Sequence, residues 1–193
     1  MVQHKLTFIT GGVRSGKSAY AEKVLREEVS KTSGRLVYIA SGVALDDEMK
    51  ERIEKHRLDR LGDGWFTIEQ PINLQEVYQD LRPNDYVLWD CMTTWLANEL
   101  YEGWETTACI HKPGCIEEKA SRLQETIALI QQKVAHFVIV SNEVFHEPAS
   151  LYTDTECYRK WLGQLHQLVV ERSTTAIEME SGIPIYWKGG ASS

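Results

Sequence analysis

The sequence lacks the features that would direct a protein to a membrane, to nucleic acid or into an oxidising compartment. It contains no apolar run long enough to cross a bilayer, so we expect no membrane span. Its 21 lysines and arginines are outnumbered by 28 aspartates and glutamates, and the net charge of −7 disfavours nucleic acid as a partner. Four cysteines are too few for a disulfide framework, and residues 1–5 lead directly into the first predicted strand. We therefore expect no signal peptide and a cytoplasmic location.

The 193 residues alternate between strand-like and helix-like segments, and we expect a single domain over residues 1–193. Short apolar runs predict strands at 6–10, 35–40, 65–69, 86–92, 136–141, 176–179 and 185–187. Helices are predicted at 19–31, 45–60, 73–81, 94–102, 115–134 and 155–171, with a surface loop at 103–114. This order predicts an α/β fold of the P-loop NTPase type. Its mainly parallel sheet would be flanked by helices, and its C-terminal strands could run antiparallel.

One motif lies between the first predicted strand and the first predicted helix. Residues Gly11–Ser18 read G-x-x-x-x-G-K-S. This pattern is typical of a phosphate-binding loop, in which glycines allow the backbone to approach a polyphosphate and the N–H groups to surround it. Lys17 would reach the β- and γ-phosphates, and Ser18 would help to hold Mg²⁺. The predicted nucleotide contacts are Gly11, Gly12, Val13, Arg14, Ser15, Gly16, Lys17 and Ser18.

Two strands end in a carboxylate that could serve a bound nucleotide. Asp90 follows an apolar strand, where P-loop proteins keep an acid near Mg²⁺, although such a residue can also simply face solvent. Glu69 could accept the two N–H groups of a guanine edge and so select GTP over ATP. Taken alone, a glutamate at a strand end is more often just exposed.

A histidine and two arginines share the predicted 45–60 helix. His56 falls on the side of Met49 and Ile53, and a histidine in such a position is more often a core residue than a catalyst. Arg57 and Arg60 could clamp a phosphate, or they could form a solvated helix end.

Cys109, His111 and Cys115 form a second cluster of reactive residue types. Their C-x-H-x₃-C spacing matches no common zinc site, so we expect no metal there.

Together these segments resemble the bifunctional adenosylcobinamide kinase / adenosylcobinamide-phosphate guanylyltransferase family. The matching motifs are T-G-G-V-R-S-G-K-S (10–18), Y-I-A (38–40), L-D-D-E-M (45–49), H-R-x-x-R (56–60), W-x-T-x-E (65–69), D-C-M-T-T (90–94), S-N-E-V (141–144) and S-G-I-P (181–184). They occur in the family's order and cover most of the chain.

The resemblance implies two reactions. One phosphorylates the aminopropanol hydroxyl of adenosylcobinamide with GTP or ATP, and the other transfers GMP from GTP to that phosphate and releases pyrophosphate. A histidine carries GMP in the family, and the matching position is His56. The resemblance also implies Mg²⁺ held by Ser18 and Asp90, and a homotrimer. The further nucleotide contacts that it implies are Ala40, Ser41, Gly42, Arg57, Leu58, Asp59, Arg60, Glu69 and Asp90.

The chain departs from the family pattern at several positions. Asp90 replaces a common glutamate, Phe145 stands where glycine usually follows N-E-V, and His166 stands where asparagine is common. Two other classes of function stay open on the sequence. One is a P-loop kinase for another small substrate, without guanylyl transfer. The other is a GTP-binding module that does not consume its nucleotide.

Overall fold

The structure is a computed structural model that describes residues 4–43, 51, 54, 58, 60, 62–145 and 150–190. The strands are Lys5–Gly11 (β1), Arg35–Ala40 (β2), Trp65–Glu69 (β3), Asp85–Asp90 (β4), His136–Val140 (β5), Thr175–Glu180 (β6) and Ile183–Lys188 (β7). Within the described residues they form one sheet in the order β3-β2-β4-β5-β1-β6-β7. All neighbouring pairs are parallel except β6 and β7, which are antiparallel. The prediction of a mainly parallel sheet with an antiparallel C-terminal strand is confirmed.

Helices connect the parallel strands. They are Lys17–Val29 (α1), Met92–Tyr101 (α2), Cys115–Lys133 (α3) and Thr153–Arg172 (α4), with 3-10 helices at Leu74–Asp80 and Cys109–His111. No helix in the described ranges combines the length and the apolar character needed to span a bilayer.

The core has two layers because side chains alternate between the two faces of each strand. On one face, Leu6 and Phe8 of β1 pack with Trp89 of β4 against α2, α3 and α4. On the other face, Ile9 packs with Leu25 of α1. With both faces covered, the strands are nearly continuous apolar runs, as expected of a buried parallel sheet.

Some predicted elements differ in the structure. The predicted helix at 73–81 is a 3-10 helix at Leu74–Asp80, preceded by Asn73 with a left-handed φ of 53° and followed by extended backbone at Leu81. The predicted surface loop at 103–114 contains buried Ala108 and Cys109. Of the predicted 45–60 helix, only residues 51, 54, 58 and 60 are described, and these are helical.

Candidate active site

The phosphate-binding loop has the backbone that its glycines predict. Gly11 and Gly16 both have positive φ, of 151° and 89°, which favours glycine. A Cβ on Gly11 would lie 2.4 Å from the carbonyl oxygen of Met179, so only glycine fits between β1 and β6. The loop then enters α1 directly, and its N–H groups lie at the positive end of that helix.

The turn between β6 and β7 supports this loop from the side. The N–H of Gly182 donates a hydrogen bond to the carbonyl oxygen of Ser15 at 3.1 Å. Ser181 and Gly182 both have positive φ, of 51° and 84°. The S-G-I-P motif, which sequence reasoning linked only to the family, thus belongs to a turn that contacts the phosphate-binding loop.

Lys17 begins α1 and extends over the loop. Its ammonium donates to the carbonyl oxygen of Gly12 at 2.8 Å, and the residue is only 7% exposed. Burial lowers the pKa of Lys17, while the nearby negative charge of Asp90 opposes that shift. Within the described residues, a loop carbonyl is the one hydrogen-bond partner of this desolvated cation, and such a cation suits phosphate oxygens.

A cleft of about 220 Å³ opens beside the loop, at the carboxyl ends of β2, β3 and β4. Its lining residues are Tyr38, Ala40, Gly42, Arg60, Glu69, Asp90, Cys91 and Thr94. Five of these were predicted as nucleotide contacts, and they come from segments far apart in the chain. Ligands of open α/β sheets bind at this edge.

Asp90 is oriented by a neighbouring tyrosine. The hydroxyl of Tyr38 donates to Oδ2 of Asp90 at 2.8 Å, and the guanidinium of Arg60 lies 3.9 Å from the centre of the Tyr38 ring. Burial and the adjacent carboxylate raise the pKa of Tyr38, so the tyrosine stays a donor.

The donor chemistry at this edge fits Mg²⁺. Asp90 supplies a carboxylate oxygen and Ser18, the second residue of α1, supplies a hydroxyl. No group of three or more histidines, cysteines, aspartates or glutamates that could hold a metal occurs among the described residues. Mg²⁺ in nucleotide sites needs only one or two protein oxygens, because phosphates and waters complete its shell.

Ser41 has a different environment from its predicted neighbours Ala40 and Gly42. It is fully buried, and its hydroxyl accepts a hydrogen bond from Nε1 of Trp89 at 2.8 Å. Any contact between Ser41 and a nucleotide would therefore involve its backbone.

Several predicted residues are not in the described part of the chain. His56, Arg57 and Asp59 lie outside it, while Leu58 is described and is 55% exposed. Val13 and Arg14, at the tip of the phosphate-binding loop, are exposed as well. The predicted roles of all these residues stay predictions.

The structure adds residues that the sequence analysis did not single out. Tyr38, Cys91 and Thr94 line the cleft, and the Sγ of Cys91 lies 3.1 Å from Oγ1 of Thr94. The motifs Y-I-A and D-C-M-T-T contain all three residues, and this was the signal available in the sequence.

The cysteine and histidine cluster is not a metal site. Cys109 and Cys115 form a disulfide, so their sulfur atoms are unavailable as ligands. His111 instead lies 3.4 Å from Asp154 at the start of α4. The disulfide was not expected from the sequence.

A phosphate-binding loop between β1 and α1, followed by a carboxylate at the end of β4, defines a P-loop nucleotide-binding protein. The family model described as cobinamide kinase / cobinamide phosphate guanyltransferase matches residues 7–186. The chain belongs to this family.

Curated relatives agree with the family match. A relative from Escherichia coli, named bifunctional adenosylcobalamin biosynthesis protein CobU, is 37% identical over 142 residues, covering 72% of this chain and 75% of the relative. A relative from Pseudomonas aeruginosa, named bifunctional adenosylcobalamin biosynthesis protein CobP, is 31% identical over 94% of this chain and 96% of its own length. The CobU protein of Salmonella typhimurium is 34% identical over 72% of this chain and 75% of its own length.

Proposed function

We propose that this chain phosphorylates adenosylcobinamide and then transfers GMP from GTP to the resulting phosphate, giving adenosylcobinamide-GDP. The main structural support is the joint position of the phosphate-binding loop and a cleft that contains both Glu69 and Asp90. Such a site can hold a triphosphate at one end and a base at the other. Membership in the cobinamide kinase / cobinamide phosphate guanyltransferase family supports the choice of substrates.

The phosphate-binding loop would act in both reactions. Its N–H groups and Lys17 would bind the phosphates and offset the charge that develops on the transferred group or on pyrophosphate. Mg²⁺, held by Ser18 and Asp90, would supply further positive charge to the phosphate oxygens. The buried position of Lys17 strengthens its interaction with an anion, because little water screens it.

Glu69 would select guanine. Its carboxylate can accept from both N1–H and the 2-amino group of guanine, whereas adenine presents no such pair of donors. Glu69 is exposed at the rim of the cleft, and no hydrogen-bond partner for its carboxylate occurs among the described residues. It is therefore available to a ligand.

His56 would be the nucleophile of guanylyl transfer. A neutral imidazole nitrogen would attack the α-phosphorus of GTP and expel pyrophosphate, and the cobinamide phosphate would then displace the histidine. Arg57 and Arg60 would bind phosphate oxygens during both steps. Arg60 already lies at the cleft, which supports this role for the described member of the pair.

Label transfer tests the proposal. The protein is incubated with Mg²⁺ and GTP carrying ³²P at the α- or the γ-position, with and without cobinamide, and protein-bound and soluble label are separated after denaturation. We expect acid-labile, base-stable α-label on the protein, lost in His56→Ala and retained in the control His111→Ala. Transfer of γ-label to cobinamide without any α-label on a GTP-binding protein would instead indicate a kinase alone.

We also propose that the chain acts as a homotrimer. The edge strand β7 supports an interface, because Ile183 is 65% exposed and Trp187 is 72% exposed on it. Light scattering coupled to gel filtration should give three times the mass of the chain. A monomer at working concentrations would contradict this part of the proposal.

A further inference from the structure

The cleft wall that carries Glu69 is built from two separate loops. One loop follows β2 and contains Ser41 and Gly42, and the other follows β3 and begins at Gln70. The last ladder contact between them is the hydrogen bond from the N–H of Gln70 to the carbonyl oxygen of Ala40, at 2.8 Å. Beyond that point the strand pairing no longer fixes the distance between the loops.

Asn98 of α2 joins the two loops at this point. Its side-chain nitrogen lies 2.9 Å from the carbonyl oxygen of Ser41 and 3.0 Å from that of Pro71. Both partners are carbonyl oxygens, which only accept hydrogen bonds, so the group facing them must be the amide nitrogen with its two hydrogens. One side chain therefore uses its full donor capacity to link both loops.

The helix that carries Asn98 is itself firmly anchored. The next residue, Glu99, is 2% exposed, accepts from the N–H of Asn73 at 2.6 Å and forms an ion pair with Lys119 of α3. Nε1 of Trp89 in β4 donates a hydrogen bond to the hydroxyl of Ser41. Neighbouring positions on one helix thus fix three points of the two loops.

We infer that Asn98 is a positioning residue for recognition of the nucleotide base. By fixing the carbonyl groups of Ser41 and Pro71, it would hold Gly42 and Glu69 at the separation that a purine requires. The inference rests on the proposed guanine recognition by Glu69. Asn98 does not line the cleft, so its effect would pass through the loops alone.

This role has a specific consequence for selectivity. Inosine triphosphate differs from GTP only by the absence of the 2-amino group, so the ratio of the two affinities reports the hydrogen bond from that group to Glu69. A bond to a charged acceptor corresponds to a preference of about 10- to 100-fold for GTP. If the wall is no longer held in position, we expect this preference to fall to about threefold or less. The kcat of the kinase step should change little, because the phosphates remain on the loop.

The experiment measures the dissociation constants of GTP and inosine triphosphate by competition with a fluorescent GTP analogue. The variants are Asn98→Asp, which removes both donors at nearly constant shape, and Asn98→Leu, which removes them without adding a charge. Asn84→Asp is the matched control, since Asn84 also donates to a loop carbonyl, that of Ser33, but lies far from the cleft. Val169→Ala, in the buried face of α4, controls for a general loss of stability.

A lowered GTP preference in both Asn98 variants, with the control variants unchanged, supports the inference. An unchanged preference in a folded Asn98 variant overturns it. The variant Glu69→Gln tests the proposed function separately, because loss of the preference there supports guanine recognition whatever Asn98 does. If Glu69→Gln keeps the preference, recognition by Glu69 fails and the inference that rests on it fails too, whereas loss of the preference in Glu69→Gln but not in the folded Asn98 variants overturns the inference alone.

Discussion

The two ends of the parallel sheet differ in how far their polar groups are already satisfied. The amino-terminal edge has the larger cleft, about 530 Å³ against about 220 Å³ at the carboxyl edge. Inside the larger cleft, Glu28 accepts from Lys5 at 3.0 Å and from Nδ1 of His136 at 2.8 Å. The other ring nitrogen of His136 is hydrogen-bonded to the hydroxyl of Thr7 at 2.8 Å. These groups have one another as partners, so a ligand would have to break existing bonds.

The carboxyl edge is the opposite case. Lys17 is held by a single carbonyl, and the hydroxyl of Ser15 is buried without a hydrogen-bond partner within the described residues. Glu69 has its carboxylate at the cleft rim. Unfilled hydrogen-bonding capacity, rather than cavity size, therefore distinguishes the candidate active site from a structural cluster.

Replacement of Lys17 should give the largest loss of activity of the changes considered. It should also show most clearly how the carboxyl edge of the sheet differs from the amino edge. We expect Lys17→Met to lower kcat/KM of both reactions by about 100- to 1,000-fold, because a preorganised charge at the transferring phosphate is lost. Stability should stay the same or rise slightly, because burial already lowers the pKa of this lysine and thus disfavours its charge. Lys23→Met, on the exposed face of the same helix, is the control for both steady-state kinetics and chemical denaturation.

His166 is a polar residue near the carboxyl edge that we expect to serve stability rather than catalysis. It lies between the rings of Phe8 and Phe145, and its Nε2 is hydrogen-bonded to the hydroxyl of Ser141 at 2.7 Å. Burial lowers its pKa to about 4, although Glu143 opposes the shift. The folded state therefore keeps this histidine neutral, and we assign it a structural role.

The pH dependence of stability measures that role. A histidine with a lowered pKa contributes stability that is fully present above about pH 6.5 and is lost as the pH falls to about 4. The wild type should lose about 3 kcal/mol of unfolding free energy over this window relative to His166→Asn, by urea denaturation at several pH values. Parallel pH profiles would contradict the assignment, and His111→Asn, at an exposed histidine, controls for histidine content.

The sequence predicted the carboxyl edge better than the amino edge, for a physical reason. The phosphate-binding loop is local, and β2 and β3 were predicted with the bounds that the structure has, because their apolar runs and flanking glycines are local signals too. The Glu28–His136 pair joins residues 108 positions apart, and no spacing rule brings them together. The double link from Asn98 to Ser41 and Pro71 likewise depends on the packing of α2 against the sheet.

The two cysteines of the disulfide show that closeness in sequence is not sufficient for prediction either. The short spacing of Cys109 and Cys115 is visible in the sequence, but it matches no common zinc site, and four cysteines do not indicate a disulfide framework. The disulfide depends on how the 3-10 helix at Cys109–His111 meets the start of α3, which composition alone does not determine.

Replacement of Glu28 should give the smallest effect and decides whether the amino edge is purely structural. The hydrogen bond from His136, with a smaller contribution from Lys5, lowers the pKa of Glu28 to about 2. A carboxylate of this kind contributes stability above its ordinary pKa of 4.5, and the contribution is lost as the pH falls towards 2. Because the side chain is 29% exposed, water screens part of the interaction, and we expect Glu28→Gln to cost about 2 kcal/mol at pH 7.

This cost should disappear near pH 2 to 3, where the wild-type carboxylate also becomes protonated. Both enzymatic activities should be unchanged at 25 °C, since the pair lies at the opposite edge of the sheet from the phosphate-binding loop. Glu27→Gln is the control, because Glu27 is 63% exposed and lies 3.9 Å from the ammonium of Lys23, which is itself exposed. Loss of activity in a Glu28→Gln protein of unchanged stability would mean that the larger cleft binds a ligand after all, and that mutual satisfaction of polar groups does not mark a purely structural cluster.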